Sequence, residues 1–369
     1  MARKDLFEEP FDESTIDKLE LFEKYIEEWL PTFTSRKSSI SQIGIFDFFA
    51  GQGKDVNNVH GSPLRILEKI RKQTALIFGN HITINLHLNE IDKAKYELLV
   101  KNCNDYLEHN SELKRVIKLN YYNQDTELLF PTLQTEIKQY PSLVFLDQCG
   151  IKFASVYLDF FEKVNTTDFL IFIPTSHAWR LGASPSFQEY LKNIDIEAAR
   201  KDAFNLFHKK IVDHFKSTLS KNTDLNLYPY TIKDGSKLHG IIFGAKHPRA
   251  FDKFLSVTWN MNELNGESNF DIYNDTDYSK LNVDLFGNKR KTKRELFEDD
   301  LKQKILSKEI KNNFEAYNYS LSVMHPGQHA KECIMKMKAD NLITYKGMPC
   351  VTYESVYEKK ILVEYKLKR

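Results

Sequence analysis

Apolar residues recur along this chain at two spacings, and each change from one to the other marks out an element. Between Ser14 and Pro31, Leu19, Phe22, Ile26, Trp29 and Leu30 fall at helical spacing, with Glu20, Glu23, Lys24, Glu27 and Glu28 between them. The spacing predicts an amphipathic helix that starts near Ser14-Thr15 and stops at Pro31. Such a face covers a sheet or docks a partner. Ile43 to Phe49 is an apolar run too short for a helix, closed by Gly51-Gln52-Gly53. It reads as a buried parallel strand whose glycine turn lets backbone N–H groups approach a ligand closely. Ser62-Pro63 then opens a helix from Leu64 to about Gln73, beside that turn. Ile82 to Leu88 alternates as a second strand and ends in Asn89-Glu90-Ile91-Asp92.

The alternation continues. A helix over residues 92–108 leads to a third strand, Val116 to Leu119, followed by Asn120-Tyr121-Tyr122-Asn123-Gln124-Asp125. A fourth strand, Ser142 to Leu146, ends in Asp147-Gln148-Cys149-Gly150, and a fifth, Phe169 to Ile173, ends in Pro174-Thr175-Ser176-His177-Ala178-Trp179-Arg180. Residues 187–219 are helical and charged. Leu225 to Ile232 and Leu238 to Phe243 then read as two strands around the hairpin signal Lys233-Asp234-Gly235-Ser236. A helix runs on to Trp259, and a polar linker follows, rich in Asn, Asp and Ser.

The expected division is therefore an N-terminal helix over 1–36 and a Rossmann-like α/β domain over 37–260 with a helical insertion near 185–222. A linker over 261–288 and a separate domain over 289–369 complete it. In that last domain a charged helix over 289–311, a second over 326–339 and strands at Leu342–Tyr345 and Ile361–Tyr365 make the order of a winged helix. Its second helix carries His329, Lys331, Lys336 and Lys338, which can neutralise phosphates of DNA or RNA in a salt-dependent way. The same residues suit any exposed helix, and winged helices also dock proteins. His325 and His329 are four apart, but no third ligand is evident and no metal is expected.

Composition changes this picture little. The chain has 369 residues, 41% hydrophobic and 28% charged, enough for one large or two ordinary domains. Its 52 Lys and Arg against 51 Asp and Glu leave a net charge of +1, so nucleic-acid contact would need a local basic surface. No apolar stretch approaches the roughly 20 residues of a membrane span, and acids follow Met1-Ala2-Arg3-Lys4 in place of a signal core. A cytoplasmic protein with no membrane partner is expected. Cys103, Cys149, Cys333 and Cys350 form no C-x-x-C pair and read as free thiols.

The chemistry gathers at strand ends, where open α/β sheets bind ligands. A dinucleotide fingerprint would need a glycine at Val56. Glu90 is placed to accept hydrogen bonds from both hydroxyls of a ribose, while Asp92 begins the next helix. The remaining pattern, Asp47-x-Phe49-x-Gly51-x-Gly53, resembles the first motif of class I S-adenosylmethionine methyltransferases. Five strands separated by helices and a terminal antiparallel hairpin repeat the order of their mostly parallel seven-stranded sheet.

That resemblance implies S-adenosylmethionine as cofactor, approached by Asp47, Phe49, Gly51 and Gly53, with its ribose on Glu90. It implies the adenine on Asp125, which alternatively caps the helix after it. Asp147 would orient or deprotonate the methyl acceptor, and His177 and Arg180 would contact an anionic substrate, although His177 equally suits an ordinary loop position. Lys18 to Tyr25, Ile45 to Gly53 with Gly61-Ser62-Pro63-Leu64, and Phe243 to Arg249 with Trp259 resemble the three-Cys-motif partner (TcmP) protein family. That likeness implies a bacterial or mobile-element origin, a place in anti-phage defence and a partner protein encoded nearby. Where the family has Asp-Pro-Phe-Gly, this chain has Asp147-Gln148-Cys149-Gly150. The Asp/Asn-Pro-Pro-Tyr motif of base amino-methyltransferases is absent as well. Cys149 is a nucleophile by position or a small core residue by type. Both a methyltransferase acting on or with nucleic acid and a non-catalytic Rossmann and winged-helix adaptor fit the sequence.

Overall fold

Ile43 and Ile45 point to one face of their strand and Phe46 and Phe48 continue it, so the run is apolar on both faces and has to lie inside a sheet. In the computed structural model, which describes residues 9–35, 39–147, 154–182, 184, 194–201, 204–273 and 291–368, it does. The chain divides into two compact units, residues 1–246 and 247–369.

In the first unit helix α1 (Glu13–Thr34) precedes β1 (Gln42–Asp47), α2 (Ser62–Gly79), β2 (Thr83–Asn89), α3 (Lys93–His109) and β3 (Ile117–Tyr122). Then come α4 (Thr126–Gln139), β4 (Ser142–Leu146), α5 (Ala154–Phe161), β5 (Thr167–Ile173) and α6 (Thr175–Leu181). Past a one-turn helix, Ile196–Ala199, helix α7 (Phe207–Thr218) leads into β6 (Asn226–Asp234) and β7 (Lys237–Ala245). The seven strands lie in the order β3-β2-β1-β4-β5-β7-β6. β1 to β5 are parallel, and β7 is antiparallel to both β5 and β6. This is the mostly parallel sheet with a terminal antiparallel hairpin expected for a methyltransferase-like Rossmann fold.

Alternation along β4 shows how the layers are built. Phe145 stacks on Phe22 of α1, centroids 4.1 Å apart, while Val144 and Leu146 join the opposite cluster with Phe130 of α4, Phe161 of α5 and Phe207 of α7. α1 runs one turn further than its proline allows in isolation, where an interior proline costs about 3 kcal/mol. Burial of Trp29 and Leu30 and the hydrogen bond from Thr34 Oγ1 to Gln73 Oε1 (2.7 Å) hold that last turn in place.

In the second unit, α8 (Pro248–Met261) is followed by α9 (Lys293–Leu306), α10 (Asn313–Ser322), α11 (Gly327–Ala339) and a two-stranded antiparallel ribbon, β8 (Ile343–Thr344) with β9 (Lys366–Leu367). α8 belongs to this unit, and so do the described residues of the expected linker, 261–273; the remainder of that linker lies outside the described residues. Helix α10 was not expected, because its apolar positions Ala316, Tyr317 and Leu321 are few and its Asn312 cap sits in a run of polar residues. The second strand begins at Lys366 rather than Ile361. Ile361 O accepts from Asn313 Nδ2 and Val363 N donates to Asn313 Oδ1, so this stretch wraps the start of α10 and only then pairs with β8. No helix among the described residues is long and apolar enough to cross a membrane.

Candidate functional site

The glycine turn is fixed from both sides. Asp47, the last residue of β1, is 1% exposed; its Oδ2 accepts from Ser62 Oγ at 2.5 Å and its Oδ1 from Phe49 N at 3.1 Å. Burial pushes this carboxyl up to about 7, against the pull of those two hydrogen bonds. Gly51 (φ 63°) and Gly53 (φ 92°) occupy the left-handed region that favours glycine, and Gly61 N donates to Gly53 O at 2.8 Å. The turn thus lies against the N-terminus of α2. Asp47 serves that turn from inside, while Phe49 packs on the core behind α4.

Glu90 stands beside the turn. Its carboxylate accepts from Asp92 N at 2.8 Å with the Gly51 N–H close by, and burial raises its pKa in spite of both. Asp125 is exposed and accepts from Glu127 N at 2.8 Å, so it caps α4, one of the two roles open to it. Asn123 Nδ2 donates to Glu90 O (2.7 Å) and Ile91 O (2.9 Å), tying the β3 loop to the β2 loop. On those loops Ile91 is 60% and, at the start of α4, Leu128 is 71% exposed, apolar surface next to the polar strand ends.

Asn89 is the residue that sequence reasoning passed over. Buried at the end of β2, its Nδ2 lies within hydrogen-bonding distance of Phe48 O (3.1 Å), Gln124 O (3.0 Å) and Thr126 Oγ1 (3.4 Å), and its Oδ1 accepts from Gln124 N. It joins the ends of three elements. Asn85, His87 and Asn89 alternate along one face of β2, and that polar run inside a buried strand is the signal that could have marked them. His87 stacks on Phe46 (4.3 Å) and its Nδ1 meets Tyr122 Oη at 3.0 Å; burial holds it neutral, at about 4. The crevice between these residues and α4 is too narrow to admit even a water molecule, so it is not a small-molecule pocket.

Across the sheet, Asp147 follows β4 and is ion-paired with Lys18 of α1. Lys18 is only 9% exposed, and its ammonium lies 4.7 Å from the Phe172 ring centroid near the end of β5. His239, at the matching end of β7, stacks on the other partner of this row, Phe172, at 5.4 Å, and its Nδ1 is buried with no hydrogen-bond partner among the described residues. Burial and the Lys18 charge hold that imidazole below its usual pKa. His177 is exposed on α6 and is lowered by partial burial and then by Arg180 and Lys237. Ser176 Oγ, accepting from Leu238 N at 2.6 Å, fixes α6 against the start of β7, so the cations Arg180 and Lys237 both act on His177. Cys149 lies outside the described residues.

In the second unit His329 is 7% exposed, contrary to its expected place on a nucleic-acid surface. Its Nδ1 lies 3.0 Å from Nδ1 of His325, and both rings pack on Trp259 and Phe297. One ring nitrogen donates and the other accepts, and burial lowers them to about 2 (His325) and about 4 (His329), so both imidazoles are neutral at pH 7. A ring buried in this way cannot reach a phosphate. Lys338 donates to Tyr345 O at 3.0 Å and lies over that ring, whereas Lys336 is exposed and Lys331 half-buried. Among the described residues no three His, Cys, Asp or Glu side chains group as metal ligands. Cys103 and Cys333 are buried, and burial pushes both thiols up to about 12.

No family model matches the sequence, and no curated protein does. Among solved structures, the chain is similar to two forms of the METTL16 methyltransferase domain and to the DszA carbon methyltransferase. The first METTL16 form is 14% identical with a TM-score of 0.30, over 60% of this chain and 66% of that one. DszA is 11% identical with a TM-score of 0.35, over 64% and 55%. The other METTL16 form, lacking its N-terminus, is 11% identical with a TM-score of 0.29, over 61% and 83%. The chain thus spans just under two thirds and just over half of the first two. At these scores the likeness carries no argument of its own; strand order and strand direction do.

Proposed function

We propose that this chain binds S-adenosylmethionine at the ends of β1, β2 and β3 and transfers its methyl group, acting on or with nucleic acid. One observation supports this above the others: the Glu90 carboxylate sits against the Gly51 N–H, so a ribose acceptor and a left-handed glycine turn meet at the end of β2 on a sheet of methyltransferase order. The residues fit the cofactor. Gly51 and Gly53 would admit its methionine portion, Glu90 would take the ribose hydroxyls, and the exposed Ile91 and Leu128 would flank an adenine with Asp125 at its edge. When bound, the cofactor supplies an electrophilic methyl group on a sulfonium. The chain's own residues contribute alignment more than acid-base force, with Asp147 positioned towards the acceptor and His177 and Arg180 towards an anionic substrate.

The helices and ribbon of the second unit support a winged-helix-like module, with Lys331 and Lys336 as its candidate phosphate contacts. The resemblance to three-Cys-motif partner proteins supports a defence setting with a partner protein. A second reading, a non-catalytic adaptor, is favoured by one observation, that Asp147 is already engaged by Lys18.

Calorimetry of S-adenosylmethionine and S-adenosylhomocysteine on the purified protein tests between them. Micromolar binding that Gly51→Trp and Glu90→Ala both abolish is the expected result. Folded protein that binds neither compound would leave the adaptor.

A further inference from the structure

Four neighbouring elements converge beyond the glycine turn. Asp147 directly follows β4, Phe172 lies one residue from the end of β5, and His239 lies in β7 directly before Gly240, which pairs with Ile173. Lys18 reaches this row from α1. A surface lysine would be free to leave; this one is not. α1 is pinned by Phe22 stacked on Phe145 and by Tyr25 Oη donating to Asp168 Oδ2 at 2.7 Å, and Leu21, Phe22, Tyr25 and Ile26 are completely buried. The ammonium is therefore a fixed charge at the end of β4, next to the carboxylate that would face a methyl acceptor, with an unpartnered imidazole nitrogen beside it.

We propose that Lys18, with Asp147 and His239, forms the acceptor half of the site and selects an acidic acceptor, an oxygen or imide nitrogen that reacts as its anion, over an amine. This rests on the methyl-transfer reading. A fixed ammonium stabilises an anion by a charge-assisted hydrogen bond and opposes an amine, which would become a second cation as it is methylated. In the step itself the acceptor has lost its proton to solvent, its lone pair forms the bond to the methyl carbon, and the carbon–sulfur bond breaks with its electron pair left on sulfur. For a nucleic-acid substrate this points to the acidic ring N–H of a uracil (N3) or guanine (N1) base, in keeping with the missing Asp-Pro-Pro-Tyr motif.

The test uses two flat probes of equal size, 4-nitrophenol at a pH where it is ionised and 4-nitroaniline, titrated into the full chain saturated with S-adenosylhomocysteine. The phenolate is expected to bind more tightly by roughly tenfold or more, the yield of one hydrogen bond to a charged group. Lys18→Met should erase the preference, and Lys18→Arg should keep it. Asp147→Asn, which frees the ammonium and leaves α1 in place, should enlarge it, so the inference stays exposed if Lys18→Met unfolds. Equal affinities, a preference for the aniline, a preference that survives Lys18→Met, or binding of neither probe would overturn it. Failure of S-adenosylhomocysteine itself to bind would instead remove the methyl-transfer reading on which it stands.

Discussion

At the glycine turn Asp47 is matched by hydrogen bonds from Ser62 and Phe49, and Asn89 by two carbonyls, a hydroxyl and a backbone N–H, while His87 Nε2 behind them is buried with no hydrogen-bond partner among the described residues. Across the sheet, Lys18 and Asp147 meet through charge, and His239 keeps a nitrogen with no partner among the described residues. The turn itself is held by neutral hydrogen bonds, while the second region is held by a charge pair with an unpartnered imidazole nitrogen beside it. Pre-organisation at one end of the sheet and unspent electrostatics at the other is what a site with a constant cofactor and a chosen acceptor requires.

The largest expected effect breaks the comparison at Asp47. Its carboxyl is raised from the ordinary 3.8 to about 7 by burial. The folded chain therefore holds a proton that the unfolded chain has released between those values, and stability contributed by this group falls as pH rises through that window. Asp47→Asn removes the loss. Relative to wild type, the variant should gain about 4 kcal/mol between the two ends of the window, read from urea denaturation across pH. His87, lowered to about 4, has the opposite sign, with its stability complete above the usual histidine pKa and lost as pH falls. It acts in both proteins and cancels in the difference. A difference that does not change with pH would mean that Asp47 is ionised in the folded protein.

Next in size is Asn89→Leu, which takes the donor from the part-buried Gln124 O and the acceptor from Gln124 N, while Phe48 O keeps Thr126 Oγ1. Each orphaned group costs about 1–3 kcal/mol, at the low end where it is part-buried, so a loss of about 2 kcal/mol in urea denaturation is expected, with the glycine turn loosened. A loss below about 1 kcal/mol would show that water replaces the carboxamide, and that the turn is less rigid than its hydrogen bonds indicate.

The contrast also governs what could be read from the chain. The strand order was legible, because β1, β4 and β5 are short apolar runs closed by polar residues, β2 alternates, and the hairpin carries its Asp234-Gly235 turn. Glu90 and the glycines were legible for the same reason: strand-end position alone brings them together. Lys18 was not. It lies in a helix whose charged residues look alike in sequence, and only the packing of Phe22 and Tyr25 turns that one lysine inward. His329 failed in the opposite direction. A histidine among lysines on a helix reads as surface, but the period that exposes Lys336 places His329 on the face with Cys333 and Met337, against Trp259. The family resemblance is too diffuse to decide such positions.

The smallest effect tests whether the two regions are independent at all. Asp47 feels the Asp147 charge, which raises its pKa, and the Lys18 charge, which lowers it. These act through the edge shared by β1 and β4, where Asp47 pairs with Phe145, two residues before Asp147. Lys18→Met should therefore move the Asp47 titration upward, followed by carbon-13 NMR of the side-chain carboxyls. Asp147→Asn should move it downward, because the repelling charge is removed. Opposite shifts from two substitutions outside the glycine turn would show that the Lys18–Asp147 pair sets the protonation of Asp47. A midpoint unmoved in both would mean that the hydrogen bonds around Asp47 insulate it, and that the two ends of the sheet can change their chemistry separately.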